Sequence, residues 1–157
     1  MNLTIKKMDI NSAKTILSWR YEKPYDFYNN DITEEGINEL LDGSYQAIID
    51  KNNKIFGYLC IGESAQIPVG HKHGVYNDKY VDMGLGMDPY YVGKGYGYEF
   101  CTYIMNHIKE NSPGIPIRLS VATFNDRAIN LYEKLGFIKK DKFTTDFAEF
   151  ITMIKDN

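Results

Sequence analysis

Three glycines at alternate positions, Gly93, Gly95 and Gly97, follow the run Val81-Asp82-Met83-Gly84-Leu85-Gly86-Met87 and open a segment with helical spacing. The first N–H groups of a helix lack internal partners, and the macrodipole adds about half a positive charge there. Glycines spaced in this way let the backbone curl around an anion and turn several N–H donors toward it. The chemistry implied is a phosphate or pyrophosphate cradle. Two nucleotide signatures fail on spacing. A P-loop needs four residues between its glycine and Gly-Lys, then Ser or Thr. Here Gly86 lies too far from Gly93-Lys94, and Gly95 follows the lysine. A Rossmann fingerprint needs G-x-G-x-x-G and an acid on the next strand. The third glycine comes one place early, and residues 113 to 121 hold no acid. A loop and helix start with no ligand would carry the same glycines.

A second stretch, Ser120 to Phe137, reads as strand, loop and short helix. Ala128, Leu131, Tyr132 and Leu135 share a helical face, so Tyr132 belongs at or near the buried side with a hydroxyl that needs a partner. Taken alone, that spacing describes a core residue. Asn125 suits the N-cap, and Gly136 the position just past the helix. His71-Lys72-His73 offers a base or half of a metal site, but no further Cys or His completes one, so no metal is expected.

The elements that must position these groups alternate along the chain. Leu3 to Lys6 reads as a strand, and Asn11 to Trp19 and Thr33 to Leu41 as helices. Tyr45 to Asp50 and Lys54 to Ile61 form a hairpin around Lys51-Asn52-Asn53. Gly62 to Lys79 has no period and reads as a long functional or mobile loop. Then come a strand over Tyr80 to Met87, a helix over Gly93 to Lys109 and a strand over Ile117 to Val121. The second motif's helix follows, and strands over Phe137 to Phe143 and Ala148 to Ile154 end the run. The order β-α-α-β-β-β-α-β-α-β-β predicts a mixed sheet flanked by helices, an α/β (α+β mixed) fold in one continuous domain over residues 1–157.

Composition narrows the setting. Of 157 residues, 43% are hydrophobic and 25% charged, enough to bury a core without staples. The net charge of -3 and the lack of a basic block argue against nucleic acid as a partner. No apolar run approaches the ~20 residues of a membrane span. Residues 1 to 9 lack a signal peptide's apolar stretch, position 2 is not glycine, and two cysteines form no framework. A cytoplasmic protein, monomeric or homodimeric, is expected.

Together the two motifs resemble the GNAT superfamily of acyl-CoA N-acyltransferases. The family's pyrophosphate turn, [Q/R]-x-x-G-x-[G/A], is matched by Val92-Gly93-Lys94-Gly95-Tyr96-Gly97, with Val92 departing from the usual Gln or Arg. Its later pattern is matched by Asn125, Ala128, Tyr132, Gly136 and Phe137. The resemblance implies a central, mostly antiparallel sheet of about seven strands with about four helices, splayed between the fourth and fifth strands, where acetyl-CoA binds. It implies cofactor contacts from Leu85, Gly86, Met87, Val92, Gly93, Lys94, Gly95, Tyr96, Gly97, Tyr98, Asn125 and Tyr132, with an N–H near Met87 as oxyanion donor. An amine would attack the thioester directly. Tyr132 would protonate the leaving thiolate, and Asp82 or Glu63 would take the amine's proton. The stretch after the first helix would border the acceptor groove, where Trp19, Glu22, Tyr25 and Asp26 suit a cationic amine. The function implied is N-acetyl transfer to a primary amine of a small molecule, peptide or protein. A non-catalytic CoA-binding sensor is the alternative.

Overall fold

Period-2 and period-3.6 patterning resolves into seven strands and four α-helices in the computed structural model, which describes residues 1–157. In chain order these are β1 (Thr4–Lys7), α1 (Ile10–Ser18), α2 (Glu34–Leu40), β2 (Tyr45–Ile49), β3 (Ile55–Ile61), β4 (Val81–Met87), α3 (Gly97–Asn111), β5 (Ile117–Ala122), α4 (Asp126–Lys134), β6 (Ile138–Thr144) and β7 (Glu149–Lys155). The strands follow one another across the sheet as β1-β2-β3-β4-β5-β7-β6. The β1–β2, β2–β3, β5–β7 and β6–β7 pairs are antiparallel, whereas β4 and β5 run parallel. That is the mixed, mostly antiparallel sheet with four helices that the motifs imply.

The helices begin where short polar side chains satisfy their orphan N–H groups. Asp9 accepts from Ser12 N at 2.7 Å before α1, Thr33 from Gly36 N at 3.0 Å before α2, and Asn125 from Ala128 N at 3.2 Å before α4. On α3 the apolar stripe Phe100, Cys101, Ile104 and Ile108 is buried, at the 3.6-residue helical spacing.

Two compact units make up the chain. The first comprises Met1–Cys60 and Leu85–Tyr96, and the second Ile61–Gly84 and Gly97–Asn157. Each is built from separated stretches, so no linker marks a boundary in the sequence. β4 contributes to both, with Val81 to Gly84 in the second unit and Leu85 to Met87 in the first. The first unit's core gathers Met8, Ala13, Ile16, Leu17, Trp19, Leu40 and Ala47. The second holds a cluster of Val75, Tyr76, Ala122, Phe143 and Phe150.

Residues 62–79, expected as a long functional or mobile loop without a period, hold regular turns. They contain two 3-10 helices, Glu63–Ala65 and Pro68–His73, and they place Val75 and Tyr76 in the second unit's core. Short 3-10 turns have no apolar period long enough to detect, so burial here is a tertiary event.

Gly86 shows why β4 carries a glycine in mid-strand. A Cβ built there would overlap the ring of Tyr58 on β3, with the Tyr58 hydroxyl oxygen 2.7 Å away. The aromatic ring lies across the strand where a side chain would stand. Gly86→Ala is expected to lower unfolding stability by about 1–3 kcal/mol through overpacking. Urea titration would read this as a lower midpoint, and an unchanged midpoint would show that Tyr58 swings aside freely.

Candidate active site

β4 ends at Met87, and the chain turns at once. Asp88 N donates to Phe56 O on β3 at 2.9 Å, and the Asp88 carboxylate accepts from Tyr90 N at 2.9 Å, capping the 3-10 helix Pro89–Tyr91. Val92 is extended, and then Gly93 and Gly95 take φ of +77° and +87°, the left-handed region that side chains resist. A Cβ on Gly95 would meet nothing within 4 Å. Glycine is therefore required there by backbone handedness, and the space above it is open. Residues 93–96 are exposed. Alternating backbone handedness of this kind turns successive N–H groups toward one anion. Aromatic rings brace the turn in the first unit: Phe56 stacks on Tyr91 at 4.4 Å, Tyr96 meets Tyr91 edge-on at 5.6 Å, and Lys94 Nζ sits 3.6 Å above the Tyr90 ring. At Gly97 the chain enters α3. A Cβ there would come 2.9 Å from Leu131 Cδ2 of α4, so this third glycine permits a close approach of two helices in the second unit.

The last carbonyl of β4 has a partner that periodicity could not supply. The Tyr21 hydroxyl donates to Met87 O at 2.8 Å, and Tyr21 N donates to Asn29 Oδ1 at 2.7 Å. Burial, reinforced by Tyr58 and Asp88, pushes the Tyr21 hydroxyl well above the usual phenol range, so it stays a donor at any physiological pH. Its place in the aromatic stretch 19–28 was visible, but its role depends on a contact 66 residues away.

The expected acids separate sharply. Asp82 is 3% exposed, and its carboxylate accepts from Arg118 Nε at 2.7 Å, Arg118 NH2 at 2.9 Å and Gln66 Nε2 at 2.8 Å. Both oxygens of Asp82, expected as a proton acceptor, are thus committed to a buried ion pair. Glu63 opens the Glu63–Ala65 helix with its side chain exposed. The preceding Gly62 N donates to Asp82 O at 2.9 Å, which sets Glu63 beside the start of β4.

On α4, Ile129 and Tyr132 are buried, and the Tyr132 ring meets Phe137 edge-on at 6.0 Å. Ala128 and Leu131 are only half-buried, so the buried face is rotated from the expected one toward Ile129. Asn125 serves as the helix cap. Trp19 corrects another expectation. It is 8% exposed in the first unit's core and stacks on Tyr58 at 6.2 Å, so its ring is packing, not an acceptor surface. Glu22 and Asp26 are exposed and Tyr25 is half-buried. The acid-rich feature of this unit lies further along the chain. A cavity of about 330 Å³ has Ile16, Leu17 and Leu40 in its lining together with Asp31, Glu35, Glu39, Tyr45 and Tyr58. Burial, with Cys60 and then Glu39 adding, pushes the Tyr58 hydroxyl up to about 12, and the same causes raise Tyr45 further. Both phenols stay neutral. These acids belong to no motif, so nothing in their spacing marks them.

The profile of the Acetyltransferase (GNAT) family matches residues 10–137. The chain belongs to this family. No curated protein sequence matches it significantly. Among solved structures, a GNAT-family acetyltransferase from Bacillus anthracis superposes with a TM-score of 0.74 at 14% identity, covering 99% of this chain and 95% of that one. Spermidine N-acetyltransferase SpeG from Vibrio cholerae gives 0.68 at 16% identity, over 99% and 94%. Salmonella typhimurium yncA, solved with its cofactor acetyl-CoA, gives 0.65 at 16%, over 99% and 94%. At such identities the likeness is one of fold. Family membership makes the chain an acyl-CoA-dependent N-acetyltransferase.

No group of three or more His, Cys, Asp or Glu in this acetyltransferase is arranged to hold a metal ion, and no helix is long and apolar enough to cross a membrane. Tyr21→Phe removes one partly buried hydrogen bond and leaves the Met87 carbonyl short of that donor. It is expected to cost about 1 kcal/mol of stability, seen as a lower urea midpoint. An unchanged midpoint would show that the bond contributes nothing.

Proposed function

We propose that this acetyltransferase moves an acetyl group from acetyl-CoA to a primary amine that carries positive charge, such as a diamine or polyamine. The observation that carries the acceptor class is the first unit's cavity, where Asp31, Glu35 and Glu39 accompany two neutral phenols and aliphatic side chains. Glu35 and Glu39 stand four residues apart on α2, where like charges repel, and a bound cation would relieve that repulsion. Methylenes between the charges would find Ile16, Leu17 and Leu40. The similarly folded SpeG is a spermidine N-acetyltransferase, which supports an amine of this kind.

The open, exposed turn at 93–96 would receive the diphosphate, and the proposed binding set is the backbone N–H groups of Gly93 to Tyr98 with Val92 flanking them. Acetyl-CoA supplies an activated thioester. The β4 end, Leu85, Gly86 and Met87, would align the pantetheine arm, and Met87 N–H would polarise the thioester carbonyl. Tyr21, by holding Met87 O, would keep that N–H in place. Asn125 would bind the arm beside its capping role. Glu63 would accept a proton from the ammonium, directly or through water, so that the amine nitrogen can bond to the acetyl carbon. As the C–S bond breaks, Tyr132 would give its proton to the departing thiolate, whose thiol has a pKa near 8.5, and the second proton lost by the acylated nitrogen would return the Tyr132 phenolate to its neutral form, through water. Glu22, Tyr25 and Asp26 would flank the entry of the amine.

The test is a panel of acceptors spanning monoamines, diamines, polyamines and N-terminal peptides, with acetyl-CoA as donor. Transfer should favour amines with a second cationic nitrogen. Glu35→Gln and Glu39→Gln should raise the KM for those amines about tenfold each, the scale of a lost charge-assisted contact. Tyr132→Phe should lower kcat about 10²–10⁴-fold with CoA affinity retained. No transfer to any amine would overturn the reading, and equal rates on neutral and cationic acceptors would overturn the acceptor class.

A further inference from the structure

The second unit contains a buried ion pair that the reaction above does not use. Asp82 and Arg118 are register partners on β4 and β5, at the second of only two registered pairs, Val81↔Ile117 and Asp82↔Arg118. β5 itself continues to Ala122. The pair therefore stands where the ladder between the parallel strands stops. Arg118 is 1% exposed and grips the carboxylate in a two-pronged fork, Nε to one oxygen and NH2 to the other. Its remaining prong donates to Val75 O at 3.1 Å, and its guanidinium carbon lies 5.0 Å from the Tyr76 ring centre and 4.8 Å from that of Tyr80. Gln66 donates to the same carboxylate. Tyr76 completes the stitching: its hydroxyl accepts from Ile67 N at 2.9 Å and shares a hydrogen bond with Ser120 Oγ of β5 at 2.6 Å. At the other end of the segment Lys140 of β6 pairs with Asp78 at 2.9 Å and lies 5.2 Å from the Tyr80 ring centre.

We propose that Asp82 and Arg118 act as a positioning pair, which fixes the point where β4 parts from β5 and fastens residues 62–79 to β5, and that Asp82 takes no proton during turnover. The proposal rests on the acetyl-transfer reading, because the Glu63 that the fastened segment carries belongs to that chemistry. A proton on Asp82 would cancel one charge of a dry pair and leave the guanidinium buried without its counter-ion. Glu63 has no such commitment and rides on the fastened segment. Lysine at 118 would keep the charge and lose the fork, so it is a graded perturbation of geometry.

Asp82→Asn, Arg118→Lys and Arg118→Met are compared with wild type, well below each variant's unfolding temperature. Steady-state kinetics are measured across pH, together with hydrogen exchange. For Asp82→Asn, kcat/KM should fall about tenfold to a hundredfold, the scale of a small misplacement, while the acidic limb of its pH profile stays where it is in wild type. Arg118→Lys should retain more activity than Arg118→Met. Exchange of amides in 62–79 should quicken about tenfold, while that of Ile104 to Ile108 on α3 stays as in wild type. Disappearance of the acidic limb in Asp82→Asn would make Asp82 the base and overturn the proposal. Unchanged kcat/KM in the folded variants, or unchanged exchange in 62–79, would overturn it as well. A wild-type enzyme inert toward every amine would defeat the acetyl-transfer reading instead, and the exchange measurement would still decide whether the pair fastens the segment.

Discussion

Two parallel strands that share a short ladder need something besides backbone hydrogen bonds to hold their spacing, and here that is a salt bridge. Asp82 and Arg118 face each other as register partners, both nearly excluded from water. A buried ion pair is seldom a cheap source of stability, since desolvating two charges offsets most of their attraction. Its value lies in geometry. The fork of a guanidinium meets a carboxylate in one plane at one distance, so the strands cannot slide without leaving charges unpaired. The same arginine reaches Val75 O and lies near Tyr76 and Tyr80, so residues 62–79 inherit that geometry.

The far end of β4 obeys a different constraint. In the first unit Tyr58 occupies the space above Gly86, and Tyr21 holds the Met87 carbonyl. A strand with glycines at 84 and 86 is intrinsically loose, because glycine loses the most freedom on folding. Phenols that stay neutral in their buried sites supply the stiffness that β-branched side chains would give elsewhere. The turn that follows gains its shape from Gly93 and Gly95 at positive φ and its rigidity from the rings of Phe56, Tyr91 and Tyr96. A glycine-rich sequence is thus pinned by its aromatic neighbours.

Much of this was legible in one dimension. The helical spacing of α3, the cap at Asn125 and the succession of strands and helices along the chain all rest on local periodicity and short-range hydrogen bonding, which depend only on neighbours a few residues away. The glycine spacing belongs to the same class, since positive φ is a property of one residue. The surroundings of Trp19 and Asp82 are hidden from the sequence for a common reason. An aromatic beside acids and an acid on a strand look the same whether exposed or buried, and burial is decided by residues far off in the chain: Tyr58 for the one and Arg118 for the other.

The sequence alone thus determined the main strands and helices, the glycine turn and the family, because each is written in spacing. Only the tertiary structure decided which acid is committed, which tyrosine holds the end of β4 and where carboxylates gather around a cavity. Those outcomes turn on desolvation and on contacts between residues such as Tyr21 and Met87 or Asp82 and Arg118, and neither quantity exists until the chain has folded.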